Sequence, residues 1–253
     1  MDLHLKGLKA VVTGGTKGIG RAIVETLLAE GAKVAFCARN GTEVAQAQAE
    51  LSVDGAVVQG RAVDVGNGAA LKAWVSDVAA DLGGIDIVVA NVSALAISQD
   101  EAAWRSGFDV DLMGTVRLVD AAMPSLEKSA HPALVTIASV SAREIDFASG
   151  PYGAFKAAIV HYTQGLAFRL ARSGIRANSV SPGNTYFPGG VWTQIEAGNP
   201  ELFAEALALN PTGRMGTPQE MANAAVFLAS PAASFITGTN LVVDGALTRG
   251  VQL

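Results

Sequence analysis

Short β-branched runs alternate along this chain with longer stretches of helical period. LKAVVTG (8–14) predicts a buried strand, and IGRAIVETLLAEG (19–31) an amphipathic helix closed by Gly31. KVAFCAR (33–39) predicts a second strand, GTEVAQAQAELS (41–52) a helix and AVVQGRAVDV (56–65) a third strand. GAALKAWVSDVAADLG (68–83) predicts a helix and IDIVVAN (85–91) a strand. A helix follows over about 101–122, ended near Pro124. PALVTIASV (132–140) predicts a strand, residues 151–173 a long helix, and RANSVSPG (176–183) a sixth strand. Residues 186–212 have no clear period and read as irregular or loosely helical. TPQEMANAAVFLAS (217–230) predicts a helix with Thr217 as N-cap and Pro218 in its first position, and NLVVDGA (240–246) the last strand.

Continuous apolar strands separated by helices are the pattern of a parallel sheet covered on both faces. The expected fold is therefore α/β, a single Rossmann-like, doubly wound domain over 1–253 with a seven-stranded parallel sheet. Such sheets bind ligands beyond the carboxyl ends of their strands. The unusual glycine and polar clusters fall there: Thr13–Gly20, Arg39, Asp64, Asn91, Ser139 and Pro182–Thr185.

Composition narrows the function classes. The chain has 253 residues, half of them hydrophobic and 16% charged, which suits one large core. No linker, repeat or low-complexity tract divides it. A formal net charge of -5, with no basic stripe, argues against a nucleic-acid partner. The single cysteine, Cys37, lies in an apolar run and excludes an internal disulfide. MDLHLKGLKA has no apolar core of signal type, and IDIVVANVSALAI is too short and too polar to span a bilayer. A cytoplasmic protein without a membrane anchor is expected. Three scattered histidines suggest no metal site.

TGGTKGIG follows the first strand and opens the first helix. Gly14, Gly18 and Gly20 permit a tight turn, close approach of backbone to a pyrophosphate, and close packing of helix on strand. The helix start offers free N–H groups and the positive end of its dipole. Thr16, Lys17 and Ile19 complete the loop. At the end of the second strand an acid would hold the ribose hydroxyls of NAD(H). Arg39 stands there instead, where an acid would repel the 2′-phosphate of NADP(H), and Lys17 in the glycine loop could reach the same phosphate. Two cations and no acid favour NADP(H), with NAD(H) as the alternative if both are simply solvated.

Tyr152 and Lys156 lie four apart at the start of the long helix, so they share one face. A free tyrosine, with its pKa near ~10, is a poor base at neutral pH, and an ammonium close by favours its phenolate. Ser139 ends the fifth strand just before this helix.

TGxxxGxG, the serine, and YxxxK at these spacings resemble the short-chain dehydrogenase/reductase family in its form of about 250 residues. With Pro182-Gly183 and GTNLVVDGAL, the resemblance extends over nearly the whole chain. It implies that Ser139 positions the substrate oxygen, that Tyr152 transfers the proton, and that Lys156 binds the nicotinamide ribose. Ser141 is a rival for the serine role, since alternation puts it on the same side. Asp64 resembles the family's adenine-contacting aspartate, with Val65 beside the ring. Pro182 and Gly183 resemble the turn along the nicotinamide, and Thr185 the position whose backbone meets the carboxamide. Where the family often has a threonine, this chain has Phe187.

Two further departures stand out. The family's Asn-Asn-Ala-Gly reads Ala90-Asn91-Val92-Ser93 here, which keeps Asn91 for the cofactor and brings Ser93 to the pocket. Asp111 replaces the asparagine that continues the proton path from the lysine, and is expected to join the catalytic set. The family carries its substrate lid over 186–212. Tyr186, Phe187, Val191, Trp192 and Ile195 offer apolar contacts there, facing Val140, Ile145 and Phe147. Arg143 is placed to meet an anionic group. The expected substrate is a hydrophobic or cyclic ketone or alcohol. A 3-oxoacyl-thioester reductase and a cofactor-binding protein without turnover are the other readings. The resemblance also implies a homotetramer.

Overall fold

The computed structural model describes residues 1–53 and 55–250. Among these, seven strands form one sheet in the order β3-β2-β1-β4-β5-β6-β7. They are β1 (Lys9–Thr13), β2 (Lys33–Ala38), β3 (Val58–Ala62), β4 (Ile87–Ala90), β5 (Ala133–Ile137), β6 (Arg176–Pro182) and β7 (Asn240–Val243). Every neighbouring pair is parallel. The helices are α1 (Gly18–Ala29), α2 (Gly41–Leu51), α3 (Gly68–Leu82), α4 (Glu101–Ser106), α5 (Met113–Leu126), α6 (Pro151–Leu170), α7 (Val191–Gly198), α8 (Pro200–Ala208) and α9 (Pro218–Ala229).

Alternation along the central strands divides the core in two. Ala10, Val12, Val34, Phe36, Ile87 and Val89 face one side, where they meet Ile23 and Leu27 of α1, Val44 of α2 and Val226 of α9. Val11, Ala35, Cys37 and Val88 face the other, against Trp74 of α3, Leu118 of α5 and Leu166 of α6. Each large apolar side chain buried this way contributes about 1.5–3 kcal/mol. Arg176, at the start of β6, donates to the carbonyls of Leu228, Ala229, Ser230 and Ile236, joining the end of α9 to the segment before β7. No described helix is long and apolar enough to cross a membrane.

The expected helix over about 101–122 is divided. Between α4 and α5 the chain makes a wide π-helical turn, Gly107–Leu112. It widens where α6 packs closely against it: a Cβ on Gly107 would stand 2.7 Å from the ring of Phe155. The helix also runs past Pro124 to Leu126. The carbonyl one turn back, which proline leaves without a donor, belongs to the exposed Asp120, where water can serve it. Residues 186–212 carry two helices, α7 and α8. Strand order reverses between β1 and β4, and the residues of interest gather beyond the carboxyl ends of these two strands.

Candidate active site

β1 delivers the chain into the glycine loop. Gly14 has φ +74 and Gly18 φ +57, conformations that glycine adopts without steric cost. A Cβ on Gly20 would stand 2.1 Å from the Gly14 carbonyl oxygen, so the loop and α1 close on each other only with glycine there. Asn91, after β4, donates from Nδ2 to the carbonyls of Thr13 (3.1 Å) and Gly14 (3.3 Å), and its N–H donates to Thr13 Oγ1 at 3.0 Å. It fastens the loop to the neighbouring strand. Lys17 caps α1 without a side-chain bond to the first turn, so those N–H groups stay open to an anion. The ring of Phe187 packs on this loop, where a Cβ on Gly18 would stand 2.5 Å from Phe187 Cζ.

The loop forms one end of a cavity of about 430 Å³. Thr16, Lys17, Ile19, Arg39, Val65, Asn91, Pro182, Gly183 and Thr185 all line it. Lys17 and Arg39 are exposed, and among the described residues neither pairs with a carboxylate. Glu43, from the first turn of α2, also lines this end. The expectation of no acid here therefore needs correcting, since a helix brings in a carboxylate that the end of β2 lacks. Both its oxygens are engaged, one by Asn40 Nδ2 at 3.3 Å and the other by Thr16 Oγ1 at 3.5 Å. Asp64 stands at the rim of the cavity, between two wall residues. Its side chain is exposed and turns back to accept the Gly66 N–H at 2.9 Å, while Val63 and Val65 form the wall.

Ser139, Tyr152 and Lys156 line the middle of the same cavity. Ser139 is extended, just past β5, and caps a short 3-10 turn over Val140–Ala142. Pro151 starts α6, placing Tyr152 in its first turn and Lys156 one turn on. Lys156 is 2% exposed and Nζ donates to the Ile137 carbonyl at 3.0 Å. The same nitrogen lies 5.7 Å from the centre of the Tyr152 ring. Behind it stands Asp111, from the π-helical turn, with Oδ1 at 3.5 Å from Nζ. Asp111 Oδ2 accepts the Ala94 N–H at 2.8 Å, whereas Oδ1 is buried without a hydrogen-bond partner. Asp111 is not part of the cavity wall. Asp111 thus stands beside the lysine, as expected of a residue that acts through Lys156.

The other end of the cavity is mostly apolar. Phe147 meets Trp192 edge-on at 5.4 Å between ring centres, and Val140 and Val191 join them in the wall. Ser93 and Ser141 also line it, and Ser93 Oγ accepts the Leu95 N–H at 3.0 Å. Leu95 holds φ +50, unusual for a bulky residue, at the cavity's edge. Four expected pocket residues lie elsewhere, Ile195 among them, packed against Trp192, Ala206 and Met215. Arg143 is exposed and outside the wall, because the 3-10 turn ends the strand-like alternation after Ser139. Ile145 is 91% exposed. Tyr186 is drawn outward by Glu196, to which its hydroxyl donates at 2.6 Å. Asp146 was missed: it lines the cavity between Ser139 and Tyr152, and the only sequence signal was its place in that connection. No cluster of metal-ligating side chains occurs among the described residues.

Known proteins share this sequence pattern and fold. A family model described as enoyl-(acyl carrier protein) reductase matches residues 14–248. An isoepoxydon dehydrogenase of Penicillium expansum is 42% identical over 98% of this chain and 97% of its own. A 3-oxoacyl-[acyl-carrier-protein] reductase of Vibrio cholerae is 33% identical over 97% of this chain and 99% of its own. The NADPH-bound structure of a short-chain oxidoreductase from Pseudomonas aeruginosa, described as containing an atypical catalytic center, superposes with a TM-score of 0.90. It is 32% identical and the match covers 96% of this chain and 98% of that one. Similarity of this extent, running through the glycine loop and the Tyr152 helix alike, makes the chain a member of the short-chain dehydrogenase/reductase family of alcohol and ketone oxidoreductases.

Proposed function

We propose that the chain is an NADP(H)-dependent oxidoreductase that interconverts a secondary alcohol and a ketone on a small hydrophobic or cyclic substrate. The observation that carries the reading is the shared cavity: Ser139, Tyr152 and Lys156 stand between a phosphate-accepting glycine loop and an apolar chamber. The loop fits a dinucleotide, with its uncapped helix start and a backbone too close for any side chain at Gly20. Bound nicotinamide supplies or takes up the hydride. The chain handles the proton and the geometry. Ser139 Oγ holds the substrate oxygen, and Tyr152 Oη gives that oxygen a proton or removes one. Lys156 places its ammonium beside the phenol ring and the cavity. Residues 186–212 act as a lid, with Val191 and Trp192 helping to exclude water.

Preference for NADP(H) is supported by Lys17 and Arg39, which have no carboxylate partner among the described residues, whereas Glu43 is tied to Asn40 and Thr16. The bound NADPH of the Pseudomonas aeruginosa relative points the same way. Fluorescence titration with NADPH and NADH in one buffer tests it. NADPH should bind about tenfold tighter, and Arg39→Ala should remove that margin while leaving NADH affinity within about threefold, the scale of one charged hydrogen bond. Equal affinities in the wild type would make Glu43 the ribose ligand and NAD(H) the cofactor. Binding of neither would end the enzyme reading.

The Vibrio cholerae relative supports a second reading, a 3-oxoacyl-thioester reductase. Turnover of a short 3-oxoacyl thioester in preference to every simple ketone would establish it. A cytoplasmic homotetramer completes the proposal. Phe168 on α6 and Phe235 before β7 are 88% and 103% exposed, apolar surface that suits interfaces between copies. Light scattering should give four times the chain mass.

A further inference from the structure

Besides Ser93, two polar side chains in the apolar chamber are left over from the proton chemistry. Asp146 is half-buried in the cavity wall, and Ser141 stands beside it. Asp146 Oδ2 accepts the Ser141 hydroxyl at 2.6 Å, and Oδ1 accepts the Ala148 N–H at 2.8 Å. Ser141 Oγ lies 3.2 Å from Ser139 Oγ. An ionised carboxylate only accepts hydrogen bonds, so Ser141 must spend its single proton on Asp146. Its oxygen is then left to accept, from Ser139 at rest and from the substrate once Ser139 turns its own proton to the reacting oxygen. At Ser141 and Asp146 the wall therefore presents acceptors alone, from Ser141 Oγ and the lone pairs that remain on Asp146.

We infer that Ser141 and Asp146 form a specificity site for a second hydroxyl of the substrate, making the preferred substrates hydroxy-ketones and the corresponding diols. This rests on the oxidoreductase reading above. The chemistry follows from complementarity. A wall of acceptors rewards a donor, leaves a bare methylene with nothing to pair, and repels a carboxylate or phosphate. Because Ser141 Oγ is one hydrogen-bond length from Ser139 Oγ, the second hydroxyl is vicinal to the reacting carbon or one carbon further on. Such an arrangement also fixes which way a ring enters, since the two oxygens must meet the two serines in order.

Cyclohexanone and its 2-hydroxy and 3-hydroxy derivatives, each with NADPH, provide the test. In the wild type, kcat/KM should be at least about tenfold higher for one of the hydroxylated ketones than for cyclohexanone. Asp146→Leu and Ser141→Ala should bring that ratio towards one, chiefly through KM of the hydroxylated ketone. Arg143→Ala, which alters an exposed charge outside the wall, should leave the ratio as it is. Equal kcat/KM for all three ketones in the wild type would overturn the inference. So would an equal loss on all of them in Asp146→Leu, which would make Asp146 a support for Ser139 only. Ligand-induced thermal shifts of the NADPH-bound protein separate this from the parent reading. Selective stabilisation by the hydroxylated ring, lost in Asp146→Leu, upholds the site even without turnover, in which case the oxidoreductase reading falls alone. Absence of both turnover and selective stabilisation overturns the site as well.

Discussion

Replacing Asp111 by asparagine keeps its shape and removes its charge. Asp111 Oδ1 lies 3.5 Å from Lys156 Nζ with both side chains 2% exposed, an attraction of ~5 kcal/mol at an effective dielectric near 20. Desolvation of two buried ions offsets much of this, so the Coulomb figure is a ceiling on the pair's net worth. The variant has a further handicap. Asp111 now serves the Ala94 N–H with one oxygen and faces the ammonium with the other. Asparagine has one oxygen and must turn a donor towards one of these two donors. The expected loss is ~2–4 kcal/mol, or a fall of roughly 5–15 °C in the thermal midpoint of a chain of this size. Because the pair is buried, added salt should leave that difference nearly unchanged. Activity supplies the second arm. Removing the negative charge behind the ammonium changes the field at Tyr152, so the pH–rate curve of Asp111→Asn should differ from that of the wild type. An unchanged midpoint together with superimposable pH–rate curves would refute the reasoning, and would mean that Asp111 contributes shape and not charge.

The remaining expectations use different parts of the molecule. Tyr152→Phe should lower kcat by at least about 10²-fold while NADPH affinity stays within a few-fold, since only the proton donor is lost; comparable activity would move the acid–base role elsewhere. Burial pushes the Cys37 thiol up to about 12, so it should resist iodoacetamide at pH 8 until urea unfolds the chain. Rapid labelling of the native protein would contradict that burial. The Arg214 guanidinium and the Thr217 N–H hold the Glu220 carboxyl down, to about 2 from an ordinary 4.5. A depressed carboxylate contributes stability that is complete above its ordinary value and lost as pH falls through the folded one. The stability gap between wild type and Glu220→Gln should therefore be present at pH 6 and close as pH falls from 4.5 towards 2; a gap independent of pH would assign Glu220 to helix capping alone.

What the sequence made legible was what local pattern controls. Apolar runs such as AVVT and IVVA have no polar face to offer water, which leaves them the middle of a parallel sheet. The glycines of the first loop mark a place where backbone must approach backbone, as the short Gly20 to Gly14 approach does. The elements that differed depend on distant partners. The π-helical turn at Gly107–Leu112 is set by Phe155 of α6, and no periodicity within the segment carries that information. Tyr186 looked like a pocket residue until Glu196, ten positions on, took its hydroxyl. Arg143 was counted along an extended strand end, but the chain coils immediately after Ser139 and the counting rule lapses. Glu43 reaches the cavity from the next helix, so reading the end of β2 alone could not weigh it against Arg39.

The burial of Lys156 is the feature that links fold to chemistry most tightly. An ammonium at 2% exposure gains one carbonyl at 3.0 Å and one carboxylate at the longer distance of 3.5 Å. A well-packed apolar side chain of similar volume would be as stable there or more so, because buried ion pairs seldom repay their desolvation. The unpartnered Asp111 Oδ1 adds a cost that an apolar pair would not carry. Stability alone therefore gives no reason for this arrangement, whereas charge placement does. The ammonium has three donors; one goes to Ile137 and one side faces Asp111, which leaves the side of Tyr152 and the cavity. Fixed between a strand end and a helix turn, it holds positive charge at the wall with little reorganisation when a substrate oxygen becomes negative, the condition under which buried charge contributes most to catalysis.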